Sequence, residues 1–225
     1  IHFKKDITIK VISENMSDRL AQRISLSIVA NILRSFFNFI SVIMLARLMG
    51  PELYGTFIFL LSSFLVLRPI IELGTSSALL TFLSKELNSK KIMRLFSKWM
   101  IIQYILPVIF IFLILPQGVM NTLWKTANYQ VLFLAYTAAF SQGYLWLIAQ
   151  KISEAVKDTI CTQFLGAISA LFYCIAVGIF FNFEITNPKI FYIVLSLEYL
   201  IVFCIILTRF NSKIEKQEVK GSKRT

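Results

Sequence analysis

Apolar residues in this 225-residue chain gather in six long blocks, with most polar residues pushed into the gaps between them. The blocks cover residues 24–49, 54–74, 99–116, 129–150, 160–181 and 189–209. Crossing the hydrocarbon layer of a bilayer takes about 20 mostly apolar residues, and each block is near that length. Lipid tolerates only helices and closed barrels, because backbone N–H and C=O groups find no water there. Runs this continuous lack the alternation of barrel strands, so they predict helices. The pattern therefore predicts an all-α, polytopic membrane bundle of about six transmembrane helices. The second helix is expected to continue in broken form as far as Phe82.

The gap between the first two blocks is unusually short. Leu45-Ala46-Arg47-Leu48-Met49-Gly50-Pro51-Glu52-Leu53-Tyr54-Gly55 leaves no room for a loop. Gly50 suits a helix C-terminus, and Pro51 can open the next helix because no partner is needed for its nitrogen there. Glu52 then falls in a first turn, where a negative charge favours the helix dipole. Arg47 and Tyr54 sit where a cationic head and an amphipathic ring reach lipid headgroups. The stretch predicts a tight helical hairpin.

Composition agrees with the pattern: 57% hydrophobic residues, 16% charged residues and a mean hydropathy of +0.72 exclude an ordinary soluble domain. The net charge of +11 raises nucleic acid as a partner, but its distribution argues against that. Lys and Arg cluster before the first block, between the second and third, between the fourth and fifth, and after the sixth. Arg47, Lys125 and Lys189 are the few cations in the remaining loops. Positive residues stay cytoplasmic, which predicts both termini inside and the hairpin outside. The basic loops then face anionic membrane lipids, and no nucleic acid is implied.

Residues 1–23 read as a basic arm, residues 24–211 as one six-helix transmembrane lobe, and residues 212–225 as a cytoplasmic tail or linker. Within the arm, Val11, Ile12, Met16 and Leu20 recur at helical spacing, which suits a segment lying on the inner leaflet or a tail of little order. Cys161, Cys174 and Cys204 fall inside apolar blocks without metal-ligand spacing, so neither a metal nor a disulfide framework is implied.

Charges inside apolar blocks are costly and mark candidate function. Arg34 lies ten residues into the first block, roughly 15 Å along a helix and close to the bilayer midplane. Ser27, Asn31, Arg34, Asn38 and Ser41 share a helical arc of about 80°, which faces either a water-filled cavity or a partner helix. Arg68 and Glu72 stand four residues apart around Pro69. They form either an intrahelical ion pair or, if Pro69 and Gly74 break the helix, a free arginine for an anionic ligand. Glu198, amid apolar neighbours in the sixth block, is a candidate for ion coupling or for a structural hydrogen bond, with Arg34 as a possible partner. Glu72 is a second coupling candidate. The fourth block carries Tyr136, Thr137, Ser141, Gln142, Gly143 and Tyr144, suited to close packing or to sugar contact.

The segment from Leu45 to Gly55 resembles the ARxLGPExYG signature of Wzx-type polysaccharide flippases, within the multidrug/oligosaccharidyl-lipid/polysaccharide transporter superfamily. Met49 replaces a leucine of that pattern. Gly74-Thr75-Ser76-Ser77-Ala78-Leu79 resembles a second segment of the same flippases, and the likeness is best over about residues 15–90. The resemblance implies one lobe of a two-lobe transporter that flips a polyprenyl-pyrophosphate-linked oligosaccharide across the inner membrane. A second lobe or another chain is then needed as partner. Because the chain begins at Ile1 and carries six blocks rather than twelve or more, it is expected to be an N-terminal lobe. Arg34, Asn31, Asn38 and Arg68 become the expected substrate-binding residues, since guanidinium forks suit phosphate oxygens. An enzyme is disfavoured: His2 is the sole histidine, and no carboxylate pair, metal motif or phosphate loop is present. No cofactor is implied. A drug or cation exporter of the same superfamily, or a membrane scaffold in envelope assembly, are the alternatives.

Overall fold

The computed structural model describes the backbone of residues 2–85, 89–124 and 128–222, and the side chains of 21–85, 90–124 and 128–214. Its helices are α1 (His2–Glu72), α2 (Thr75–Lys85), α3 (Ser89–Ile109), α4 (Gln117–Trp124), α5 (Tyr129–Phe140), α6 (Trp146–Ala155), α7 (Thr159–Asn182) and α8 (Pro188–Ser222). A π-helical turn, Phe110–Ile114, extends α3, and another, Ser141–Leu145, joins α5 to α6 in one rod. The described residues contain no strand. This is an all-α membrane bundle, as the apolar blocks predict. The basic arm, rather than standing apart, continues helically into the first span, and α8 runs helically to Ser222. The side chains of Val11, Ile12, Met16 and Leu20 lie outside the described residues.

Among the described residues, five helices are long and apolar enough to cross a membrane, against six expected. The difference is at Gly50. The first of the five, Ala21–Glu72, spans 52 residues and contains one non-helical residue, Gly50, at φ 71° and ψ 171°. That left-handed φ needs glycine, since a Cβ clashes there. Contacts show that the chain reverses at this point. Arg23 donates to the carbonyl of Lys157 just before α7 (3.0 Å), and Met44 reaches Gly178 near the far end of α7. Beyond Gly50, Phe57 stacks on Tyr192 at that same far end (4.5 Å between centroids), and Leu65 and Arg68 come back beside Gly143, midway along the α5–α6 rod. The arm 21–49 thus runs parallel to α7, and the arm 51–72 returns, so the merged helix is two spans. Further on, Leu73 and Gly74 both have positive φ (47° and 76°), and α2 restarts beyond them. This is the expected broken continuation.

Helices in lipid associate by close packing and polar contacts rather than by hydrophobic expulsion. On α7, Gly166, Ala167, Ala170 and Val177 are buried, and α1 presents Ala30 and Ser41 as its deeply buried small residues. An aromatic core fills the centre: Phe64 stacks on Trp124 at 5.4 Å and meets Tyr136 edge-on at 5.7 Å. Tyr136 donates to the Tyr104 carbonyl (3.0 Å), and Tyr192 to that of Phe57 (2.9 Å). Large apolar residues such as Ile32, Phe39, Val66, Leu113 and Phe172 point outward, as lipid-facing positions should. Asp158, opening α7, meets Lys213 (2.7 Å) and Arg209 (3.5 Å) of α8 and ties two helices at one end.

Candidate functional site

Two polar centres lie inside the bundle, on opposite sides of the π-turn Ser141–Leu145. Such turns insert one residue into the α-helical ladder and re-aim the side chains around them. Here Gln142 and Trp146 serve one centre, and Gly143 and Tyr144 the other.

The first centre is built around Arg34. Its guanidinium carbon lies 4.3 Å from the centroid of the Trp146 ring, a cation–π contact. Arg34 and Gln142 both lie near enough to the Tyr199 hydroxyl to act on it electrostatically. Glu198, the neighbour of Tyr199, faces Ser169 and lies in the field of Arg34. The structure thus brings Arg34 and Glu198 into one electrostatic cluster, midway along α1, α6, α7 and α8. They do not form a direct ion pair: among the described residues, the bridges within 4 Å involve only Lys151, Glu154, Asp158, Arg209 and Lys213. The Oε2 of Glu198 and the Oε1 of Gln142 are buried without a hydrogen-bond partner, an expensive arrangement in a low-dielectric interior.

The polar stripe on α1 does not act as a unit. Ser41 is buried and returns its hydroxyl to the Phe37 carbonyl (2.8 Å). Ser27 and Arg34 are half-buried, and Asn31 and Asn38 are exposed on the outer surface of the lobe. Two large grooves are present, of about 470 and 500 Å³, and Arg34 lines neither. Both are almost wholly apolar. The larger runs between α7 and α8 with Glu198 in its floor.

The second centre contains Arg68 and Glu72, and the ion pair between them is not formed. Glu72 instead accepts from the Ser76 hydroxyl across the break at Gly74, while the Nε of Arg68 is buried without a partner. Arg68 packs beside Gly143, where an added Cβ would lie 3.2 Å from its Cδ. The pocket alongside, lined by Phe64, Tyr136 and Tyr144 among others, measures about 10 Å³, which holds no substrate group. Gln103 organises this centre, although nothing in the sequence reading singled it out. Its amide donates to the Ile71 carbonyl (2.7 Å) and the Thr75 hydroxyl (3.3 Å), and its oxygen accepts from Tyr144. A lone glutamine inside an apolar block was the available signal. Trp146, which lies beneath Arg34, was not singled out by the sequence either. No group of three or more metal-ligating side chains occurs among the described residues.

A family model described as polysaccharide biosynthesis protein matches residues 20–223, nearly the whole chain. The chain belongs to the polysaccharide biosynthesis protein family. That is the family of Wzx-type flippases, whose members are transporters rather than enzymes. The match reaches beyond the segments that carry the sequence resemblance and takes in all the spans through α8. No curated protein and no solved structure matches the chain. Family membership and the apolar helices together make this a multi-pass membrane protein with a role in polysaccharide biosynthesis.

Proposed function

We propose that this chain is the N-terminal lobe of a flippase moving a polyprenyl-pyrophosphate-linked oligosaccharide across the inner membrane, with both termini cytoplasmic. The observation that carries this reading is Arg34: a guanidinium kept midway through the bundle, lying over the Trp146 ring and only half-buried. A charge in that position costs too much to retain without use, and its fork suits phosphate oxygens. Asn31 and Asn38, exposed on the same helix one turn to either side, add amide donors for a sugar or phosphate. Arg68 joins the path in a conformation that opens its packed surroundings. Glu198 is the stronger coupling candidate, since one of its oxygens is buried and unpartnered. Glu72 is the weaker, because Ser76 already occupies it.

One lobe encloses no pathway, so transport requires a second lobe or another chain. The chemistry needs no enzyme activity and no cofactor. The basic end of the bundle, carrying Arg23, Lys157, Arg209 and Lys213, is placed at the cytoplasmic leaflet by the positive-inside rule.

The test is complementation. The full-length protein is expressed in a bacterium lacking its own O-antigen flippase, with and without Arg34→Ala, and surface polysaccharide is compared at matched membrane levels. Restoration by the parent and loss in the variant is the expected result. Restoration by both removes Arg34 from the mechanism.

A further inference from the structure

Arg34 is clamped by residues from three other helices, more closely than attraction of an anion alone requires. Below its guanidinium lies Trp146 of α6, at 4.3 Å. Trp146 meets Tyr199 of α8 edge-on, with ring centroids 6.0 Å apart and planes at 69°, and the Tyr199 hydroxyl lies within the electrostatic reach of Arg34. Gly166 of α7 makes the room. A Cβ there would stand 2.6 Å from Trp146 Cη2, 3.1 Å from its Cζ2 and 3.5 Å from Arg34 Cδ. Any larger residue would push the indole out from beneath the cation.

We propose that Trp146, Tyr199 and Gly166 are positioning residues that hold the Arg34 guanidinium flat, so that its in-plane N–H edge is set for a phosphoryl oxyanion. The inference rests on the reading of Arg34 as the headgroup site. An unrestrained arginine loses rotamer freedom on binding, whereas one already held over an indole has lost it beforehand. The indole also covers one guanidinium face and leaves the donors at the rim, where two oxygens can be met together. A lysine has no such plane, so Arg34→Lys should bind poorly despite keeping its charge.

The experiment measures farnesyl diphosphate, a short soluble polyprenyl diphosphate, binding to the purified full-length protein by calorimetry in detergent. Trp146→Leu should weaken binding about tenfold, between the scales of an exposed and a desolvated cation–π contact as suits a half-buried arginine, and Trp146→Phe should restore most of it. In an Arg34→Lys background Trp146→Leu should cost nothing further, because a residue acting through the fork has no effect once the fork is gone. A purely structural role for Trp146 would weaken both backgrounds alike and would overturn the inference. Tyr199→Phe removes a single oxygen and keeps the test alive if Trp146→Leu does not fold; it should weaken binding about threefold. Should Arg34→Ala weaken binding while Trp146→Leu and Tyr199→Phe leave it at the parental value, the positioning role is wrong and the headgroup reading survives. Parental affinity in Arg34→Ala, or no binding by the parent, defeats the headgroup reading itself.

Discussion

Two glycines on α7 should respond in opposite directions to the same substitution. Both Gly166 and Gly178 are helical, and both face side chains of α1. At Gly166 an added methyl would stand 2.6 Å from Trp146 Cη2, roughly 1 Å inside ordinary carbon–carbon contact. The indole is rigid, buried, and backed by Arg34 and Tyr199, so the helices themselves must part. Overpacking of this kind costs about 1–3 kcal/mol. Replacing a helical glycine by alanine returns about 0.5–1 kcal/mol; a clash this short with a rigid ring falls in the upper half of the overpacking range, about 2–3 kcal/mol, which leaves Gly166→Ala destabilised by about 1–2.5 kcal/mol. At Gly178 the methyl would meet only the tip of Met44, at 3.6 Å, an ordinary contact with a flexible side chain. Gly178→Ala should therefore gain about 0.5–1 kcal/mol from the helix term alone. Unfolding in mixed micelles by titrated dodecyl sulfate, followed by circular dichroism, gives the two midpoints beside that of the full-length parent. Equal shifts in the same direction, or a parental midpoint for Gly166→Ala, would show that the α6–α7 contact is not as close as described.

Gly50→Ala tests the hairpin. Nothing lies within 4 Å of the site for a Cβ, so the cost is that of the backbone alone; φ 71° with ψ 171° is a conformation essentially restricted to glycine, worth about 1–3 kcal/mol, and Gly50→Asn should cost as much as Gly50→Ala in the same unfolding titration. Gln103→Leu should be more damaging: it strands the Ile71 carbonyl and the Tyr144 hydroxyl, at about 1–3 kcal/mol for an unsatisfied buried group. Adding Tyr144→Phe should recover part of that loss, and a fully additive double variant would refute the network.

The features legible from sequence were those written in backbone chemistry or in long-range composition. Gly50-Pro51 declared its turn because only particular residues accept that geometry, and Pro69 with Gly74 announced the second break for the same reason. Apolar blocks of membrane length marked every span, although the one-residue turn made two helices read as a single rod in structure. Arg34 and Glu198 were found because charge inside a hydrophobic run is conspicuous. Their proximity was open until the fold packed α7 against both α1 and α8. What the sequence could not convey was register between helices: which ring lies under Arg34, or that Gln103 bridges to Ile71. The π-turn at Ser141–Leu145 was equally hidden, since an inserted residue changes hydrogen bonding without changing composition. The same limit explains why the polar stripe on α1 divided, with Ser41 turned into the bundle and Asn31 and Asn38 left outside.

The one-residue turn at Gly50 also bears on how the protein is made. Neither arm of the hairpin owns a loop that could rest in water while the other waits, so the two must enter the bilayer together. The first arm is a poor passenger by itself, because an arginine near the centre of a lone helix costs about 2.5–3.5 kcal/mol on insertion scales. The second arm brings its own apolar residues, among them Phe57, Leu60, Leu61 and Phe64, into the same step. The hairpin is thus expected to insert as a pair, with the arginine carried into the membrane by the helix that follows it.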